Sequence, residues 1–201
     1  MRKRGFIFVI SGPSGSGKTT LIKNLLKDKG LTNTLAKSVS FTTRPKRANE
    51  KNRRDYFFIT PQRFKALLRG KKIIEWTRYL GYYYGTPKDY LDGEFRAGRH
   101  IVLCLDTNGA GKIKNIYPAN SISIFILPPK PETLRQRIRS RSRIKKENLL
   151  ERLKLAKKEI ALSSFQGNGG EVFEWRESQF QKIADLKDKI IAGIGEKPYT
   201  F

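Results

Sequence analysis

The chain has 201 residues, 38% of them hydrophobic and 30% charged, with a formal net charge of +24. This length and apolar content are those of one domain with a packed core, and they exclude wholesale disorder. The charge draws polyanions (nucleic acid, nucleotides or an acidic membrane surface) without choosing among them, and the single cysteine, Cys104, excludes an intrachain disulfide.

The opening MRKRGFIFVISG has a basic start and an apolar run too short for a secretory signal, halted by a glycine-rich motif. No segment approaches the roughly 20 apolar residues of a membrane span. The expectation is a cytoplasmic protein that makes no membrane contact. Cys104, in HIVLCLD, reads as a small hydrophobe on a buried strand. Residues 6–10 (FIFVI) read as a buried strand, and residues 18–29 as a helix with Leu21, Leu25 and Leu26 on one face. A strand is expected at 56–59. Thr60 and Pro61 then read as an N-cap and a first-turn proline opening a helix to about 69. Residues 73–84 are aromatic-rich and β-like, and 87–97 is helical. The runs 101–105 and 122–127 are continuous apolar strands, and 131–143 and 146–163 are basic helices. A last strand at 171–175 and a helix at 178–192 complete the reading.

Continuous apolar strands alternating with helices imply a parallel sheet covered on both faces. The 38–84 stretch breaks that rhythm and reads as a small antiparallel lobe inserted into the α/β core.

Gly12 to Thr19, GPSGSGKT, fits G-x-x-x-x-G-K-[ST] between a strand and a helix. In that context the loop's N–H groups and the helix N-terminus converge on an anion. Gly12, Pro13, Ser14, Gly15, Ser16, Gly17, Lys18, Thr19 and Thr20 are therefore the candidate ATP-binding residues. Lys18 is placed to reach the outer phosphates, and the Thr19 hydroxyl to ligate Mg²⁺. The motif alone leaves open a kinase or a motor or switch NTPase.

The segment SVSFTTRPKRANEKNRRDYFF, with IIEWTRYLGYYYGT, LDTNGAGKI and RQRIRSRSR…ERLKLAKKE, resembles the guanylate kinases, in order and nearly ungapped, over residues 6 to about 160. The resemblance implies a P-loop NTPase-type parallel sheet flanked by helices. Core residues would be about 1–37, 88–130 and 165–201, with a β-rich GMP-binding lobe at about 38–87 and a helical lid at about 131–164. It implies transfer of a phosphoryl group from ATP, with Mg²⁺, to GMP and dGMP, giving GDP. It assigns Ser40, Arg44, Arg47, Glu50, Tyr56, Glu75, Tyr84, Gly85, Thr86 and Asp106 to GMP, with Asp106 also near the metal through water. Arg44, Lys18 and the lid arginines Arg137, Arg141 and Arg152 carry the transfer. The chemistry suits these roles. Arginine forks hold a phosphate dianion bidentately. A carboxylate at Glu75 accepts from guanine N1–H and N2–H₂, while Ser40 and Thr86 hydroxyls donate to O6.

Several residues depart from the family's pattern. Asn49 and Arg53 stand where it has glycines, so an altered loop shape is expected. Cys104 replaces the first aspartate of D-x-D. Thr77-Arg78 is expected to add positive charge beside the acceptor pocket, and GNGGEVFEWRES replaces the usual late strand. Rival readings are a P-loop kinase of a phosphorylated sugar, a non-catalytic guanylate-kinase-like module and a nucleic-acid binder served by the net charge. Monomer and homodimer are both open.

Overall fold

The structure, a computed structural model, describes residues 5–31, 33–127, 131–140, 146–165 and 171–174. In chain order the elements are β1 (Ile7–Ser11), α1 (Lys18–Leu25), β2 (Leu35–Lys37), β3 (Phe41–Thr42), β4 (Phe57–Phe58), α2 (Pro61–Arg69), β5 (Ile73–Tyr79) and β6 (Tyr82–Pro87). They continue with α3 (Lys88–Arg96), β7 (His100–Cys104), α4 (Thr107–Ile116), β8 (Ser121–Leu127), α5 (Pro131–Ser140), α6 (Lys146–Phe165) and β9 (Glu171–Glu174).

β1 is buried along its whole length because both faces of its sheet are covered. Its side chains alternate between two cores. Phe8 and Ile10 pack with Leu21, Ile22 and Leu25 of α1. Ile7 and Val9 pack with Leu91 of α3 and Ala110 and Ile113 of α4. The sheet is parallel throughout, in the order β2-β7-β1-β8-β9. A chain leaving the C-terminal end of central β1 therefore enters the crevice where ligands bind in such sheets.

A second sheet runs β4-β3-β6-β5. β5 and β6 form a hairpin closed by Leu80 and Gly81, at φ 49° and 81°, the conformation that matches strand twist in a two-residue turn. This lobe is not purely antiparallel as expected, because β3 and β4 pair in parallel. Parallel neighbours need a long crossover, and here that crossover is residues 43–56, the basic segment itself. Thr60 caps α2 as read, accepting the Arg63 N–H at 3.2 Å.

Other expectations shift. α1 ends at Leu25 instead of 29, because Asp28 turns its carboxylate to the Gly30 N–H at 2.9 Å and competes with helical pairing. The strand at 56–59 shrinks to Phe57–Phe58, while β2 and β3 form where no apolar run announces them. The helix expected at 178–192 lies outside the described residues. α5 and α6 pack through Leu134, Ile138 and Ala156.

Candidate active site

The loop between β1 and α1 is shaped by backbone conformation. Gly12, Gly15 and Gly17 take φ of 133°, 93° and 101°, values at which a Cβ collides with the backbone. Gly17 is the N-cap of α1, so Lys18, Thr19 and Thr20 form its first turn, where unpaired N–H groups and the helix dipole favour an anion. Lys18 Nζ donates to the carbonyls of Gly12 and Pro13, at 2.5 and 2.9 Å, and so arches over the loop. At Gly15 an added Cβ would stand 3.0 Å from Leu134 Cδ1 and 3.3 Å from Ile138 Cγ1. α5 therefore rests directly on this loop. The Ser16 hydroxyl is buried with no hydrogen-bond partner among the described residues.

A cavity of about 250 Å³ opens from this loop toward the second sheet. Gly12, Ser14, Lys18 and Thr19 line one end. Ser40, Arg44, Arg47, Glu50, Tyr56, Glu75, Tyr84 and Gly85 line the other, and Asp106 and Arg152 lie along its wall. Pro13, Gly15, Ser16, Gly17 and Thr20 build the loop without facing the cavity. Thr86, behind the wall, donates to Glu75. Arg137 is partly buried on α5 and is not among the lining residues. Arg141 lies outside the described residues.

The crossover loop organises its arginines around one carboxylate. Arg44 Nη2 donates to Glu50 Oε1 at 2.7 Å, and the Arg47 N–H donates to Oε2 at 2.9 Å. The Arg47 guanidinium approaches the same carboxylate at 3.6 Å. Burial alone would raise the Glu50 carboxyl. The Arg44 hydrogen bond, the Arg47 N–H and both positive charges outweigh it and hold the group below the usual carboxylate range. The Arg44 guanidinium lies 5.5 Å from the Tyr56 ring centre and 5.6 Å from that of Phe58, which fixes its fork further. Burial raises the Tyr56 hydroxyl far above its usual range, so it stays a neutral donor.

Glu75 is 4% exposed. Burial pushes its carboxyl up to about 7, against the hydrogen bond from Thr86, while the Asp106 charge adds to the rise and Lys112 opposes it. Asp106 itself caps α4: its Oδ1 accepts the Gly109 N–H at 2.7 Å. A Cβ on Gly109 would lie 3.0 Å from Glu75 Oε2. The bare backbone there makes room for the carboxylate.

The departures from the family pattern now have positions. Arg53 adopts φ 64°, the left-handed backbone that glycine takes without strain, while Asn49 is not among the positive-φ residues. The Arg53 N–H donates to the Tyr56 carbonyl at 2.9 Å. Cys104, expected as a buried hydrophobe, is only half-buried and lines the cavity. Arg78 adds no charge to the pocket. Strand alternation turns it outward, 5.8 Å from the Tyr83 ring centre, while Thr77 and Tyr79 face the cavity. Arg135 and Arg139 on α5 are exposed, and Arg143 lies outside the described residues.

Tyr79 and Glu159 are among the cavity residues that escaped the sequence reading. Tyr79, pushed up to about 12 by burial and the Glu159 charge, meets Tyr84 edge-on at 6.5 Å. Glu159 of α6 lines the cavity beside Asp106 and Lys18. Burial raises it to about 7, with Lys18 opposing and Asp106 reinforcing the rise. The available signal was spacing: Glu159 follows Arg152 by seven positions, two helical turns on the same face.

Residues 4–167 match the family model described as guanylate kinase. The chain is 40% identical over 161 residues to a guanylate kinase of Caldanaerobacter subterraneus subsp. tengcongensis, covering 80% of this chain and 76% of the relative. It is 41% identical over 157 residues to one of Thermotoga maritima, covering 78% and 74%. Among solved structures, the crystal structure of guanylate kinase from Anaplasma phagocytophilum superposes with a TM-score of 0.73 at 30% identity, covering 95% of this chain and 87% of that one.

Proposed function

The chain belongs to the guanylate kinase family, and on that footing we propose how its residues carry out ATP-dependent phosphorylation of GMP to GDP. One observation carries the reading: a single cavity joins the phosphate loop to the Arg44, Tyr56, Glu75 and Tyr84 set. That distance-bridging pocket is what a direct transfer between two nucleotides needs.

At the acceptor end, Glu75 accepts from guanine N1–H and N2–H₂, and Ser40 donates toward O6, while Thr86, expected to donate there too, spends its one hydroxyl proton on Glu75 and so orients that carboxylate. Adenine would leave those groups unpaired, at about 1–3 kcal/mol each. Gly85 gives backbone room beside them. Arg44 and Arg47, already oriented by Glu50, hold the acceptor phosphate, with the Tyr56 and Tyr84 hydroxyls completing the cradle. An oxygen of that phosphate bonds to the γ-phosphorus of ATP. The bond to the β,γ-bridging oxygen breaks, and ADP leaves with the electron pair. The attacking oxygen is already anionic, so no general base is required. The loop from Gly12 to Thr20 holds the donor phosphates, and Lys18, Arg137, Arg141 and Arg152 neutralise charge on the migrating group.

The residues also fit magnesium. The Thr19 hydroxyl on the first turn of α1 would hold it, with Asp106 reaching it through water. Among the described residues no three His, Cys, Asp or Glu side chains converge as a cage, which suits a metal carried mainly by phosphates and water. Magnesium would supply charge neutralisation on the donor phosphates. No described helix is long and apolar enough to cross a membrane. The nucleotide substrates and the lone cysteine fit a cytoplasmic location. The net charge of +24 would steer nucleotides and give weak, salt-sensitive affinity for nucleic acid. The intact phosphate loop argues against a purely scaffolding role.

The test is a coupled assay across GMP, dGMP, AMP, UMP and CMP. Preference for GMP and dGMP is expected. A clear preference for another base, or turnover of a ribose phosphate alone, overturns the reading.

A further inference from the structure

Arg152 and Glu159 project from one face of α6 into the same cavity. Each has a buried polar atom without a hydrogen-bond partner among the described residues: Nε of Arg152, a donor, and Oε2 of Glu159, an acceptor. No described ion pair joins them to each other. The Arg152 donor is readily explained, since phosphate oxygens arrive in that space. Glu159 is not. A carboxylate facing a polyphosphate is repelled, and a buried acceptor left unmet costs about 1–3 kcal/mol.

The surroundings say what would meet it. α6 packs on α4, whose N-cap is Asp106. Glu159 feels the Asp106 charge as repulsive and the Lys18 charge as attractive. Two carboxylates at the phosphate loop, each unfavourable beside the other and beside phosphate, become favourable together when a cation and its water donors stand between them and the phosphates.

We propose that Glu159 is a positioning residue for the transfer, a lid-borne acceptor for water in the coordination shell of the nucleotide's magnesium, acting opposite Asp106. It rests on the phosphotransferase reading above, and it adds that metal and lid engage together. Arg152 draws α6 toward the phosphates whether or not the metal is present. Glu159 makes the same approach unfavourable until the metal is there. The pair thus makes closure of α6 selective for the metal-bound nucleotide.

The experiment measures binding of a non-hydrolysable ATP analogue to the full chain by calorimetry, with Mg²⁺ and with chelator, for the wild type, Glu159→Gln and Glu159→Asp. Removing an outer-shell partner weakens metal affinity by about 10- to 100-fold. In Glu159→Gln, the tightening produced by Mg²⁺ is expected to shrink by at least about tenfold, while metal-free binding becomes tighter because a repelling charge is gone. Glu159→Asp should recover part of the Mg²⁺ effect. Mn²⁺ affinity in the same complex, read by electron paramagnetic resonance, should fall in parallel. GMP binding, measured alongside, should be unchanged and reports that the fold is intact. An unaltered Mg²⁺ effect overturns the proposal, and so does equal weakening with and without metal. Failure of the wild type in the monophosphate panel strikes the phosphotransferase reading instead.

Discussion

Thr86 Oγ1 donates a 2.5 Å hydrogen bond to Glu75 Oε1, which occupies one carboxylate oxygen and leaves Oε2 beside the bare backbone of Gly109. The carboxyl sits at about 7 because burial disfavours its charge. Under the proposed assignment guanine donates to it, so the ionised form is the one that binds. As pH falls below 7 the group protonates and loses acceptor capacity. The KM for GMP should therefore rise by about tenfold at pH 6 relative to pH 8. The GMP phosphate titrates in this range as well, so the measurement is the ratio of wild type to Glu75→Gln, which cancels it. A ratio independent of pH would contradict the assignment.

Gly109→Ala tests the fit behind that carboxylate. An alanine inside a helix normally adds up to about 1 kcal/mol of stability over glycine. Here the new Cβ crowds Glu75 Oε2 at 3.0 Å. The expected outcome is a melting temperature near or above wild type with a KM for GMP raised about tenfold, the KM for ATP being unchanged.

Glu50→Gln separates orientation from charge in the acceptor loop. The carboxylate now receives both Arg44 and the Arg47 N–H, and an amide has one acceptor oxygen for the two. The KM for GMP should rise by at least about tenfold, the loss of one charge-assisted bond. Arg44→Ala, which removes the fork itself, should lower kcat/KM by about a hundredfold or more.

Lys18→Ala should lower kcat/KM by about a thousandfold while GMP binding, read by calorimetry without ATP, stays within about twofold of wild type. Equal loss at both substrates would place Lys18 in the fold instead of the transfer.

Arg53→Gly addresses stability alone. A left-handed non-glycine residue costs about 1–2 kcal/mol, and glycine returns part of that through its freer unfolded chain. The net expectation is up to about 1 kcal/mol of stabilisation, read by denaturant unfolding, with GMP kinetics near wild type.

The parts legible in the sequence were those whose signal is local. The phosphate loop is contiguous, and its neighbours Phe8 and Leu21 advertise a strand and a helix on either side. Thr60 and Pro61 mark α2 by cap chemistry. The acceptor residues came through the resemblance to the guanylate kinases, which pointed to Arg44, Glu50 and Glu75 but not to how they meet. β2 and β3 are three and two residues long, too short for any period to show. The parallel pairing of Phe41 with Phe57 depends on register across the loop. Asp106 as a helix cap and Glu159 in the cavity are tertiary facts. The seven-residue step from Arg152 puts Glu159 on the same helix face, but only the packing of α6 turns that face to the cavity.

The crossover between β3 and β4 also sets an order of assembly. β5 and β6 meet through a two-residue turn, so their pairing closes quickly and depends on neighbours along the chain. β3 joins β6 over a long separation, and among the described residues β4 pairs with β3 alone. Arg44 and Arg47 thus sit on the segment that gains its shape last and surrenders it first. A protease probing the native protein should cut between residues 43 and 56 before it cuts the hairpin. GMP, gripping both arginines, would then act as the late-folding loop's own chaperone.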